Sequence, residues 1–265
     1  MIEIRDVIDT IKSEASWVNY DKTRDVFLTK EKNQTIDKIG VCWVATKQAL
    51  QQAKENDIHF IISHENFLYL ESTSLWKGYL DSRNEKIDFC LENDISVYRL
   101  HDGWDMYPFY GVADSLNKLV GIDFEARQLN NYHTKALING KITVKEIAQK
   151  YADALSGYGC QSVEIFGDPD KKVNVLATGI GAATSVPEMS KMGADCMIVA
   201  DDGGTNWTEH QWCLDNDISL ILLHHSVNEI PGIYGMKQYL ESKFPEVKII
   251  KLEEGYQYHT VLAKK

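Results

Sequence analysis

The feature that most constrains this chain is a set of short apolar runs, four to seven residues long, alternating with stretches of helical period. Residues 39–45, 58–63, 96–100, 173–177, 196–200 and 220–223 are largely apolar. A strand with one wet face would alternate instead. Runs of this kind belong to sheets covered on both faces, and helices between them supply the cover. The predicted class is α/β.

Between these runs lie predicted helices at 2–14, 47–56, 75–93, 112–119, 144–155, 186–192, 207–216 and 236–243. Thr143, with Glu146 three residues on, is the capping-box pattern that opens the helix at 144. Residues 162–166 form a further strand, ended by the turn signal Gly167-Asp168-Pro169-Asp170. Residues 247–251 and 257–263 read as two closing strands, and the polar stretch 19–34 as a loop or two weak strands. Residues 125–141, polar and carrying Asn130-Asn131 and Asn139-Gly140, read as a link between two lobes. The expected division is 1–128, which the final strand (252–265) can rejoin, and 129–251.

Composition excludes several function classes. The 44% apolar and 25% charged fractions are those of a globular chain with a core. No stretch nears the roughly 18 apolar residues that span a bilayer. The charged residues among 1–16 exclude a signal-peptide core, so a cytoplasmic location and no membrane partner are expected. The five cysteines form no CxxC pair, which argues against a disulfide framework or a zinc finger. A net charge of −11 repels phosphates, so no nucleic-acid partner is expected.

Three strands end alike. Residues 58–63 run into His64-Glu65. Residues 96–100 run into His101-Asp102-Gly103-Trp104-Asp105. Residues 220–223 run into His224-His225, with Glu229 shortly after. Ligands of open α/β sheets bind beyond the carboxyl ends of strands. If these strands are neighbours, histidine and carboxylate side chains converge there. Imidazole and carboxylate together suit zinc, manganese or iron, and two ions can clamp the oxygens of a displacement reaction. A single histidine after a strand is more often a hydrogen-bonded loop residue, so the weight lies on the clustering of four of the eight histidines. His59, His133, His210 and His259 are expected to be structural. Pro231 disfavours helical geometry at Ile230, so His225 to Glu229 open either a helix or a tight turn, and both keep the two groups close. Residues 179–185 form a strand-to-helix turn whose backbone N–H groups could alternatively face an anion.

In this order the motifs resemble the NIF-three-like proteins, the GTP cyclohydrolase 1 type 2 family. Its His-His pair, His-x-x-x-Asp and late Gly-His-x-x-x-Glu stand here as His64-Glu65, His101 to Asp105 and His224-His225 to Glu229. Gly111-Val112-Ala113-Asp114 and Gly193-Ala194-Asp195 are also similar. Four departures stand out: Glu65 replaces the second histidine, Asn66 the proline that follows it, His224 a glycine, and Asp201-Asp202 a Gly-Glu. A carboxylate at position 65 makes a site more anionic and harder, favouring manganese, iron or magnesium over zinc.

The resemblance implies two similar α/β lobes, each a mixed sheet flanked by helices, with a dimetal site between them. It implies two divalent ions (Zn, Mn or Fe), held by His64, Glu65 and Asp105 from the first lobe and His225 and Glu229 from the second, Glu229 bridging. His101 is expected just outside the ligands, able to exchange a proton. Tyr107 and Phe109, close after Asp105, are expected to meet a planar substrate. The implied activity is metal-dependent hydrolysis of a small nucleotide-like or phosphorylated molecule; the cyclohydrolase name implies attack on a purine ring carbon. The rival is a non-catalytic metal-binding or regulatory protein of the same fold. A homo-hexamer is expected from the same resemblance.

Overall fold

The computed structural model describes residues 1–32, 34–69, 76–128, 131–203 and 206–263. The chain divides into two compact units, one of residues 1–111 and 233–255, the other of residues 112–232 and 256–265.

In the first unit, β1 (Ile2–Glu3) pairs antiparallel with β2 (Thr35–Ile36). The main sheet is wholly parallel. It uses β3 (Lys38–Cys42), β4 (Phe60–Ser63), β5 (Ser96–Arg99) and β11 (Lys248–Lys251), in the order β11-β3-β4-β5. All four residues of β4 and of β5 are buried, as two-face cover requires. Helix α1 (Ile4–Glu14) buries Ile4, Val7, Ile8 and Ile11, one face of a helix. Helices α2 (Lys47–Glu55) and α3 (Lys77–Glu92) place Leu50 and Cys90 in the cluster that also holds Ile61 and Val97. Predicted residue 75 of α3 lies outside the described residues. Part of the polar stretch 19–34 does behave as a weak strand: Phe27 bridges Tyr98, Leu28 N–H donates to Val97 and Arg99 N–H to Val26.

The second unit has a mixed sheet in the order β6-β8-β9-β10-β7. Its centre is β8 (Val175–Thr178), β9 (Cys196–Ala200) and β10 (Ser219–Leu223), mutually parallel. Its antiparallel edges are β6 (Thr134–Leu137) and β7 (Glu164–Phe166). Successive side chains point to opposite faces. Accordingly Cys196, Ile198, Ile221 and Leu223 enter one core cluster, while Met197, Val199 and Leu220 enter another. Helices α5 (Val112–Leu119) and α6 (Val144–Leu155) feed the first cluster, and α7 (Val186–Lys191) and α8 (Trp207–Asp215) the second. The capping box of α6 is formed in both directions.

Several expectations need correction. The link 125–141 contains an edge strand, β6, because Thr134 and Ala136 alternate inward within a polar stretch. The unit boundary precedes α5, since Leu116 and Val120 pack with Ala136 and Ile147. Residues 233–251 belong with the first unit, because β11 pairs with β3. Residues 257–263 form no strand; they are mostly exposed, and Thr260 Oγ1 meets Ser162 Oγ at 2.7 Å. Helix α9 (His225–Lys243) starts eleven residues earlier than the predicted 236. Pro231 removes one N–H donor from its ladder, and the helix runs through. The five cysteines are buried and free, as expected of small hydrophobes. Among the described residues no helix is long and apolar enough to cross a membrane.

Candidate functional site

In the first unit the register creates the cluster. Ser63 pairs with Arg99 on adjacent parallel strands, so the residues that follow β4 and β5 emerge side by side. His64 is fully buried, and its Nδ1 lies 3.0 Å from the Leu100 carbonyl oxygen. A carbonyl can only accept, so Nδ1 carries the hydrogen and the neutral ring holds its lone pair on Nε2. Nε2 faces Asp105 Oδ1 at 3.4 Å, beyond the about 2.7–2.9 Å of a charge-assisted hydrogen bond. Asp105 Oδ1 is buried and accepts no hydrogen bond of good geometry among the described residues.

The His101 ring stacks on that of His64 with centroids 4.7 Å apart and planes 5° from parallel. Its Nδ1 lies 3.1 Å from Asp105 Oδ2 and 3.3 Å from Asp102 Oδ1, and its Nε2 lies 3.5 Å from Glu65 Oε1. Burial opposes its charge, but Asp105 and the other acids hold its pKa well above the ordinary imidazole value. Burial likewise opposes ionisation of Asp105 and Glu65, and the adjoining imidazoles outweigh it, so both acids stay well below the usual carboxylate range. Ligand atoms of His64, His101 and Asp105 all lie within 4.8 Å of one another.

Asp105 and Asp102 sit on α4 (Asp102–Asp105), a single turn. It is fixed from the segment before β2: Asp25 accepts the backbone N–H of His101 at 2.7 Å and of Gly103 at 2.8 Å. Asp102 accepts from Thr23 and the Arg24 N–H and pairs with the Arg24 guanidinium. Arg99, the last residue of β5, reaches Glu65 Oε2 at 3.0 Å and donates Nε–H to the His64 carbonyl at 3.3 Å.

The second unit repeats the principle. Leu223 pairs with Ala200 on parallel strands, which sets Asp201-Asp202 beside His224-His225. His225 Nδ1 lies 2.8 Å from Asp202 Oδ2, and Nε2 lies 2.9 Å from Glu229 Oε1, one helical turn on. Burial lowers the His225 pKa, but the hydrogen bonds to Asp202 and Glu229 dominate and push it up to about 11. Asp201 accepts the His225 N–H at 3.0 Å and meets His224 Nδ1 at 2.8 Å; the His224 ring stacks on Tyr258.

The loop after β8 closes on this pair. Gly181 has φ +39°, and a Cβ there would collide with the Glu229 carboxylate and the His225 imidazole. Its N–H donates to Asn228 Oδ1 at 2.8 Å, so that donor is spent within the protein rather than offered to an anion. His133 Nε2 donates to the Ala183 carbonyl oxygen at 3.1 Å and lies 3.3 Å from the Ser185 backbone nitrogen, a structural role for this histidine.

The structure thus brings together His64, Glu65, His101 and Asp105 in one unit, and His225 and Glu229 in the other. Among the structural histidines, His59 pairs with Asp57, His210 stacks on Phe166 and His259 approaches Gln161. Tyr107, expected to meet a planar substrate, is buried between Trp104 and Tyr239 with its hydroxyl on Glu14. Phe109 is 61% exposed, edge-on to Tyr110. Asp25 and Arg99 lie outside any sequence motif, and Asp202, which stands at a departure from the family pattern, holds His225 Nδ1.

The donor set is right for a divalent cation: imidazole nitrogens with their other nitrogen already hydrogen-bonded, opposite buried carboxylate oxygens. Sheets flanked by helices, with such sets at the carboxyl ends of parallel strands, define an α/β protein with candidate metal-binding sites. The chain belongs to the family described as Duf34/NIF3 (NGG1p interacting factor 3), whose sequence model matches residues 2–255. It is 24% identical over 214 residues to a GTP cyclohydrolase 1 type 2 homolog of Clostridium perfringens, covering 76% of this chain and 78% of that protein. Its fold is similar to that of a Bacillus cereus protein related to NIF3 (TM-score 0.81, 12% identity, 98% of this chain and 99% of that one). It is also similar to reduced HcgD from Methanocaldococcus jannaschii (TM-score 0.72, 16% identity, 95% and 98%).

Proposed function

We propose that this protein is a metal-dependent hydrolase with a dinuclear divalent-metal centre, acting on a small nucleotide-like or phosphorylated molecule. His64, Glu65 and Asp105 of one unit and His225 and Glu229 of the other would supply the ligands. The observation that carries the reading is the buried opposition of His64 Nε2 and Asp105 Oδ1, with Nδ1 of the same ring held by the Leu100 carbonyl. In its neutral form His64 turns a lone pair toward a carboxylate, and a cation relieves that repulsion. Family membership and the name of the Clostridium relative support the reaction class.

Bound divalent ions supply Lewis acidity, which activates water near neutral pH and offsets charge developing on a polarised substrate. The chain's own residues do the rest. The Leu100 carbonyl and Asp202 fix which nitrogen of His64 and His225 faces a ligand partner. His101, ringed by Glu65, Asp102 and Asp105, holds a proton beside the ligands. Phe109 offers an exposed ring for a planar base, while Tyr107, two residues earlier, is buried. A homo-hexameric, cytoplasmic assembly belongs to the same proposal.

Elemental analysis of gently purified protein tests it, together with turnover of nucleotides and phosphate esters under zinc, manganese or iron. The reading expects about two ions per chain, and Asp105→Asn should lose turnover while keeping the fold. Less than about one ion per chain in metal-replete protein would overturn it.

A further inference from the structure

Position 65 carries a glutamate where the family pattern has histidine, and the structure gives that glutamate a cationic partner. Arg99 ends β5, and its side chain is 10% exposed. Its Nη2 lies 3.0 Å from Glu65 Oε2 and its Nε donates to the backbone carbonyl of His64. The guanidinium therefore grips the side chain of one candidate ligand and the main chain of its neighbour. Arginine stays charged at any working pH, and its planar fork keeps this geometry fixed.

Two consequences follow for an ion bound here. A glutamate in place of a neutral imidazole adds one negative charge, and Arg99 adds one positive charge beside it. His64, Glu65, Asp105 and Arg99 together then carry one negative charge, as two neutral histidines and one aspartate would. Geometry adds the second point. Oε2 is engaged by Arg99, and Oε1 faces His101, 3.5 Å from its Nε2. A single carboxylate oxygen can then act where the family pattern has a single imidazole nitrogen, and two-oxygen chelation, which suits larger and harder cations, is obstructed.

We infer that Arg99 is a selectivity-determining residue: it cancels the charge of Glu65 and restricts it to a single donor atom. Borderline ions such as zinc thereby stay favoured over hard ones despite the extra carboxylate. The inference rests on the metal-site reading above.

Dissociation constants for Zn(II) and Mn(II), measured on the full chain by competition with a chromophoric chelator, test it. Arg99→Met should lower the zinc-over-manganese preference about tenfold or more, whereas Arg99→Lys, which keeps the charge, should retain most of it. Glu65→His alone should weaken both ions about tenfold, since Arg99 then faces them uncompensated, and adding Arg99→Met should restore affinity. A folded Arg99→Met with unchanged preference, or substitutions whose effects simply add, would overturn the inference. Should Arg99→Met fail to fold, Glu65→His decides: affinity equal to or tighter than that of the starting protein overturns it. Absence of metal binding in the unsubstituted chain would sink the metal-site reading itself, whereas an unchanged preference in a chain that binds sinks only the role of Arg99.

Discussion

The carboxylate of Asp202 lies 2.8 Å from Nδ1 of His225, which leaves Nε2 as the nitrogen turned toward Glu229. A partner of this kind fixes the tautomer of a ligand imidazole and raises its basicity. Asp202→Asn is therefore expected to weaken metal binding about 10–100-fold while leaving the circular dichroism spectrum unchanged. Titration of the metal-free protein, followed by calorimetry, reads this directly. Unaltered affinity would remove Asp202 from the site.

Asp25 accepts two backbone N–H groups at the start of α4, both buried. Asp25→Ala leaves those donors without the carboxylate, at a cost of about 1–3 kcal/mol for each unsatisfied group. Urea unfolding should show a clear loss of stability in Asp25→Ala. Asn, which keeps one acceptor oxygen, should lose less, and equal losses in the two variants would argue against the capping role.

Glu14 accepts from the hydroxyls of Tyr107 and Tyr239 and pairs with Lys243. Burial raises its pKa, but these donors and the ammonium lower it from 4.5 to about 2. The folded value lies below the unfolded one, so the contribution is complete above pH 4.5 and fades as pH falls toward about 2. Glu14→Gln should flatten that acid limb, and urea midpoints collected across the window would show it. The side chain is partly solvated (32% exposed), so solvent screening keeps the effect small. A variant with an unchanged acid limb would contradict this account.

Each sheet closes its own apolar core: Leu50, Ile61 and Val97 in one unit, Ile147, Ile198 and Ile221 in the other. Removal of metal by a chelator should therefore spare secondary structure and lower the melting temperature by only a few degrees. A ligand at 100 times its Kd contributes about 2.7 kcal/mol. Wholesale unfolding on chelation would instead favour the rival, a purely structural metal role.

Gly181 approaches His225 and Glu229 too closely for any side chain. Gly181→Ala should displace one of them and reduce metal stoichiometry measured by elemental analysis, at a stability cost of about 1–3 kcal/mol from the left-handed backbone and the overlap. Full stoichiometry in a stable variant would refute the close approach.

The sequence by itself determined the apolar runs that become β4, β5, β9 and β10, the capping box of α6, and the histidines and acids at the strand ends. Those signals are local: period, cap chemistry and the residues adjoining a strand are written within a few positions. Only the tertiary structure decided who holds them. Asp25 is 76 residues from His101, Arg99 is 34 from Glu65, and Asp202 is 23 from His225. Strand order and register bring these partners within hydrogen-bond distance, and no spacing along the chain encodes them. The course of α9 through Pro231 was settled in the same way. One missing N–H weighs against the helix locally, whereas the burial of Val227, Ile233, Met236 and Leu240 along it is a property of the folded units.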